Sequence, residues 1–234
     1  MSTENILELT KVKVQKKEKN YGQFIIEPLS PGFGITIANS LRRVILSSIP
    51  GAAITTVKIN NATHEFSTIK GVKEDLIEII LNLKSLKIKK LCEDKVTIKL
   101  SANQAGVVLA KDFKKNPDIE IIEPDHHLAT LDKGAKLSIE AVVDSGVGYL
   151  PTENREDEKM PLGYIAIDAI FTPIKKISYT VENTRVGQKT DFDKIIFDIT
   201  TDGSIDPEQT LNSGAQILMK HFEEIFTQTK TNKK

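Results

Sequence analysis

The chain has 234 residues, 39% of them hydrophobic, which is enough for one large domain or two small ones with real cores. Its 32 basic and 32 acidic residues cancel, which argues against a free-standing nucleic-acid binder and in favour of protein or small-molecule partners. One cysteine, Cys92, excludes an internal disulfide and points to a reducing compartment; the N-terminal residues turn charged too soon for a signal peptide, and no apolar run approaches the roughly 18 residues that span a membrane, so the expectation is a soluble cytoplasmic protein.

The first twenty residues predict a short strand and a hairpin turn, lysine-rich over 11–19. "YGQFIIEP" (21–28) is strand-like, and "LSPGFG" (29–34) is a turn-rich break. A helix is expected over 35–48, stopped by Pro50-Gly51. "AITTVKIN" (53–60) is a strand by its β-branched density. The pattern Val72, Leu76, Ile79, Ile80, Leu83 predicts an amphipathic helix over 72–84. Strands are expected at 95–100, 136–143 and 163–171, with the charged stretch 151–161 as a surface loop. Two more strands, 177–183 and 194–201, flank "TRVGQKTDFD", and "TDGS" (201–204) marks a turn. The final helix has Asp206 as N-cap, Pro207 at the first helical position and Gln209 in the capping-box position. Leu211, Ala215, Leu218, Phe222, Ile225 and Phe226 form its apolar stripe, and the polar tail 227–234 is expected to fray.

The helix over 35–48 is too apolar for an ordinary surface helix. At about 100° per residue its apolar side chains spread over roughly 200° of arc, against the little more than 100° that one buried face requires. It is therefore covered from two directions: by its own sheet, and by a second domain, a second copy, or simply more of the chain's own core. Thr36, Asn39, Ser40, Arg43 and Ser47 fill the remaining polar arc. Arg43 lies near its middle, free to meet a carboxylate or backbone carbonyls with its planar fork. Arg42 points toward Ala38, Ile45 and Leu46, and is expected to be partly buried and internally paired.

Catalytic signals are sparse. "PGFG" and "GVGY" do not extend into a phosphate-binding loop. The adjacent His126 and His127 diverge on a helix or a strand, so joint chelation is not expected. Asp191 and Asp193 share a face if extended, but no third metal ligand is evident; "EDE" (156–158) reads as a charged loop, and Ser47 and Ser48 lack a His–Asp context. His64 and His221 are isolated. The lysines of "KSLKIKK" (84–90) read mainly as a solvated strand edge.

Three blocks in order carry a family resemblance: "EPLSPGFGITIANSLRRVILSSIPGAAITTVKI" (27–59), "HEFSTIKGVKEDLIEIILNLK" (64–84) and "VENTRVGQKTDFDKIIFDITTDGSIDPEQTLNSGAQIL" (181–218). Together they resemble the N-terminal part of the bacterial RNA polymerase alpha subunit, with plastid alpha subunits sharing the same blocks. The resemblance implies an α+β fold: a discontinuous α/β dimerisation subdomain, 1–50 plus 173–234, with a mainly β subdomain inserted over 51–172. It implies that Ile35, Ala38, Leu41 and Ile45 pack with Leu218, Phe222, Ile225 and Phe226 across a homodimer axis. It further implies a beta-subunit contact centred on Arg43, with Arg42, Asn39 and Ser47, and a beta-prime contact at Lys84 and Ile167. Catalysis and its magnesium would belong to the large subunits, leaving no catalytic residue, metal or cofactor in this chain. The family's C-terminal DNA-binding domain would be absent from a chain ending at Lys234, so no specific DNA contact is assigned. The competing readings are a dimeric interaction module outside transcription, and a metal-dependent hydrolase built on Asp191, Asp193 and a histidine.

Overall fold

Strands carry most of the architecture of the computed structural model, which describes residues 8–60, 62, 64–155, 161 and 163–231, with side chains at the C-terminal end to 229. In chain order the elements are β1 (Lys11–Glu18), β2 (Tyr21–Leu29), α1 (Phe33–Ser48), β3 (Pro50–Ile59), α2 (Leu76–Ser85), β4 (Ile88–Lys90), β5 (Val96–Ala102), β6 (Gly106–Leu109), β7 (Ile119–Ile121), β8 (His127–Leu131), β9 (Leu137–Val147), β10 (Tyr149–Leu150), β11 (Ile165–Ala166), β12 (Ala169–Ile170), β13 (Ile174–Val186), β14 (Lys189–Thr201) and α3 (Pro207–Thr231). The described residues up to Ile49 and those from Pro173 onward form one compact unit; Pro50–Thr172 form another.

In the first unit an antiparallel sheet runs in the order β1-β2-β14-β13. Alternation along β2 and β14 puts Phe24, Ile26, Ile195, Phe197 and Ile199 on one face. The buried stripe Ala38, Leu41, Ile45 of α1 and Leu211 of α3 close over that face as a single core. The two helices meet where Gly214 has no side chain: a Cβ there would lie 2.5 Å from Ile45 Cγ1. Helix α1 starts at Phe33, two residues before the sequence pattern suggests, and its N-cap is Gly32 in the left-handed region with no side-chain cap. The cap comes from across the sheet, because the buried Asp193 carboxylate accepts the Gly34 N–H at 2.8 Å.

In the second unit the main sheet runs β5-β9-β3-β4-β7, with β11 also pairing β3. Leu76, Ile79 and Leu83 of α2 enter its core together with Ile54, Val57, Ile139 and Val143 of β3 and β9. Helix α2 begins four residues later than the apolar period suggests, because Asp75 is its N-cap and accepts the Glu78 N–H at 2.7 Å; Val72 bridges Leu131 instead. The run 163–171 is not one strand but two short ones, interrupted at Asp168. Of the stretch read as a loop, Thr152–Arg155 form a 3₁₀ turn, and Arg155 is buried with Nη1 donating to Thr55 O at 2.9 Å. The "EDE" segment lies outside the described residues. Nor does α3 fray at 227; it continues to Thr231.

Candidate subunit interface

Helix α1 presents two faces of different character. Asn39, Arg42, Arg43 and Ser47 are all exposed on it. The Ser47 hydroxyl donates to the Arg43 carbonyl at 2.9 Å. Neither guanidinium has a hydrogen bond or ion pair among the described residues. The expectation for Arg42 is therefore corrected: it is not an internally paired arginine. Its side chain is exposed, which avoids the desolvation that burial of the charge would impose. The pair forms a doubled cationic ridge flanked by the exposed Asn39 and Ser47.

The apolar residues assigned to a dimer separate into two groups. Ala38, Leu41 and Ile45 are closed over by the chain's own sheet and by α3, so they have no accessible surface left to offer another chain. That part of the interface assignment is corrected: the second cover of α1 is largely α3 of the same unit. Ile35 is 63% exposed instead, beside the exposed Phe33. On α3, Leu218 is half-buried against the core, while Phe222, Ile225 and Phe226 are all more than 60% exposed. Every residue from 219 to 229 is exposed. The capping of α3 is partly as expected: Asp206 Oδ1 accepts the Glu208 N–H at 2.8 Å, and Lys17 bridges Asp206 and Glu208 at 3.2 and 3.1 Å, with no return bond from the Gln209 side chain among the described residues.

Of the two residues assigned to beta-prime, Ile167 is corrected: at 3% exposure it belongs to the core of the second unit and cannot meet a partner directly. Lys84, in the last turn of α2, donates to Asp168 Oδ2 at 3.2 Å and lies 5.8 Å from the centre of the Tyr149 ring. Asp168 also accepts the Thr152 N–H at 2.9 Å. The Thr152 N–H, then Lys84 and the Tyr149 hydroxyl, outweigh burial and hold the Asp168 carboxyl down at about 2. The same bond raises the Tyr149 hydroxyl. Sequence reasoning missed Asp168 and Tyr149; the available signal was an aspartate interrupting an apolar run. The lysines of 84–90 are not uniformly solvated either. The Lys90 side chain is 1% exposed, its ammonium donating to Glu93 O at 3.0 Å with Asp144 at 3.9 Å.

The residues weighed for chemistry have structural duties. Asp193 caps α1, and Asp191 stands exposed beside it. His126 Nε2 contacts Asn82 O at 3.0 Å and Ser85 Oγ at 3.1 Å, and His127 lies 3.4 Å from the buried Glu74. Burial pushes the Glu74 carboxyl up, but the Thr130 N–H and hydroxyl, at 2.6 and 2.9 Å, reverse this and hold it below its ordinary range. Among the described residues no three His, Cys, Asp or Glu side chains converge to hold a metal, and no helix is long and apolar enough to cross a membrane.

Comparison with known proteins gives concordant matches. Residues 57–172 match the RNA polymerase Rpb3/RpoA insert domain. Over 227 residues the chain is 48% identical to the DNA-directed RNA polymerase subunit alpha of Alkaliphilus oremlandii, covering 95% of this chain and 72% of that one. The subunit alpha of Moorella thermoacetica is 47% identical over 216 residues, 92% of this chain and 69% of that one. That of Symbiobacterium thermophilum is 46% identical over 210 residues, 90% and 67% respectively.

Proposed function

Because the chain belongs to the DNA-directed RNA polymerase alpha-subunit family, we propose that it serves transcription as a non-catalytic platform: two copies dimerise, and the dimer receives the beta and beta-prime subunits in the cytoplasm. The observation that carries this reading is the exposed apolar surface on the distal half of α3. Met219, Phe222 and Ile225 crowd one helix and are each more than half exposed. Burying each such side chain contributes about 1.5–3 kcal/mol, so a symmetric contact through them outweighs leaving them in water.

The beta subunit meets the ridge of Arg43, Arg42, Asn39 and Ser47. Two unpaired guanidinium groups on one rigid helix suit carboxylates on a partner, since each fork can be satisfied bidentately without rearranging the helix. Beta-prime meets the Lys84–Asp168–Tyr149 cluster, with Ile167 acting from beneath by fixing the neighbouring Asp168. The polymerisation chemistry and its magnesium reside in the large subunits. In a mixture with purified beta, the Arg43→Ala chain should elute as a dimer on size exclusion yet capture beta at least about tenfold less tightly, as truncation of a central arginine does at other interfaces. Undiminished capture would refute the assignment of the ridge.

A further inference from the structure

Apart from these surfaces, the second unit carries a groove of about 480 Å3 at the place where the two outermost strands of its sheet both reach its lining. Half-buried Ile119 and Ile121 of β7 and exposed Pro117 make an apolar floor, over Ile98 of β5 and Phe113, which are almost closed off. The charged residues that line it are Lys111, Lys114 and Lys115, with no carboxylate among the lining side chains. In a chain whose charges cancel overall, this is a concentrated one-signed rim. Lys111 is engaged with Asp125 at 2.9 Å, which raises its ammonium. Lys114 and Lys115 are exposed and have no ionic partner among the described residues.

We propose that this groove docks an acidic amphipathic peptide segment of a partner protein, its apolar side chains on Ile119, Ile121 and Pro117 and its carboxylates on Lys114 and Lys115. The volume falls within the range of sites that enclose several side chains. The apolar floor distinguishes the site from a simple phosphate-binding strip, where binding rests on charge and needs no such surface. Two exposed lysines beside an apolar surface call for more than one negative charge next to an apolar anchor, as in an acidic peptide.

The test is fluorescence anisotropy on the full chain with a labelled eight-residue probe, two phenylalanines set between Asp-Glu pairs. Its controls are the same peptide with serines for the phenylalanines, and a single-stranded DNA octamer. The Lys114→Ala/Lys115→Ala double variant changes only exposed side chains, and circular dichroism verifies its fold. The expected result is saturable binding that weakens about tenfold in the double variant and again with the serine peptide, and that falls with added salt. No saturable binding, or binding indifferent to the double variant, would overturn the proposal. So would equal affinity for the serine peptide or the DNA octamer, which would make the rim a general anion strip.

Discussion

Arg42 and Arg43 are neighbours about 100° apart on α1, yet both end in water because an arginine stem is long enough to leave an apolar flank. Burial of a side chain's base does not imply burial of its charge, and that distinction was not legible in a helical wheel. Asp193 behaves in the opposite way. Its sequence context suggested only a face shared with Asp191, but β14 places it under the N-terminus of α1, which Gly32 leaves without a side-chain cap. Asp193→Ala should lower stability by about 1–2 kcal/mol, the usual loss for an N-terminal cap, read as a shift in the urea midpoint. Gly34→Ala should destabilise the same joint, since a Cβ would stand 2.7 Å from Val181 Cγ1 and 2.9 Å from the Asp193 side chain. A further residue-scale prediction concerns pH. The Asp168 carboxyl is held at about 2, below its ordinary 3.8, so its contribution is complete above the ordinary value and is lost as pH falls toward 2. Asp168→Asn should therefore be less stable than the native chain at neutral pH, with the gap closing between pH 4 and 2 when urea midpoints are compared. A gap independent of pH would contradict the hydrogen-bonded carboxylate.

At the scale of elements, the helices and long strands were legible because each shows one clean period: two along β14, and 3.6 along α1, α2 and α3. The short strands β4, β6, β7, β10 and the interrupted pair β11 and β12 were not, since runs of two to four residues carry no period. The wide apolar arc of α1 was also legible, but its occupant was not. Hydrophobic periodicity records that a residue is covered, and Gly214 against Ile45 shows that α3 of the same unit does much of the covering. This reassigns the effect of substitutions. Leu41→Glu should unfold the first unit, because it places a charge among Phe24, Phe197 and their neighbours. Phe222→Glu should leave circular dichroism and thermal unfolding of the isolated fold near native while lowering the apparent mass toward that of one chain. A folded Phe222→Glu chain that stays dimeric would place the interface elsewhere on the molecule.

For the whole molecule, assignment to the alpha-subunit family rests on three ordered sequence blocks and on relatives aligned over nine-tenths of the chain. The physical case for assembly is independent of them: an exposed apolar helix end and an exposed arginine ridge occupy the same folded unit, one suited to a second copy and the other to a charged partner. The measurement that tests this most directly is native mass spectrometry of the chain alone and after addition of purified beta. The account predicts a species of twice the 26.0 kDa chain mass at micromolar concentration, and a complex of two chains with one beta that is depleted by Arg43→Ala. A chain that remains at its single mass, or a beta complex equally abundant with the Arg43→Ala chain, would contradict it.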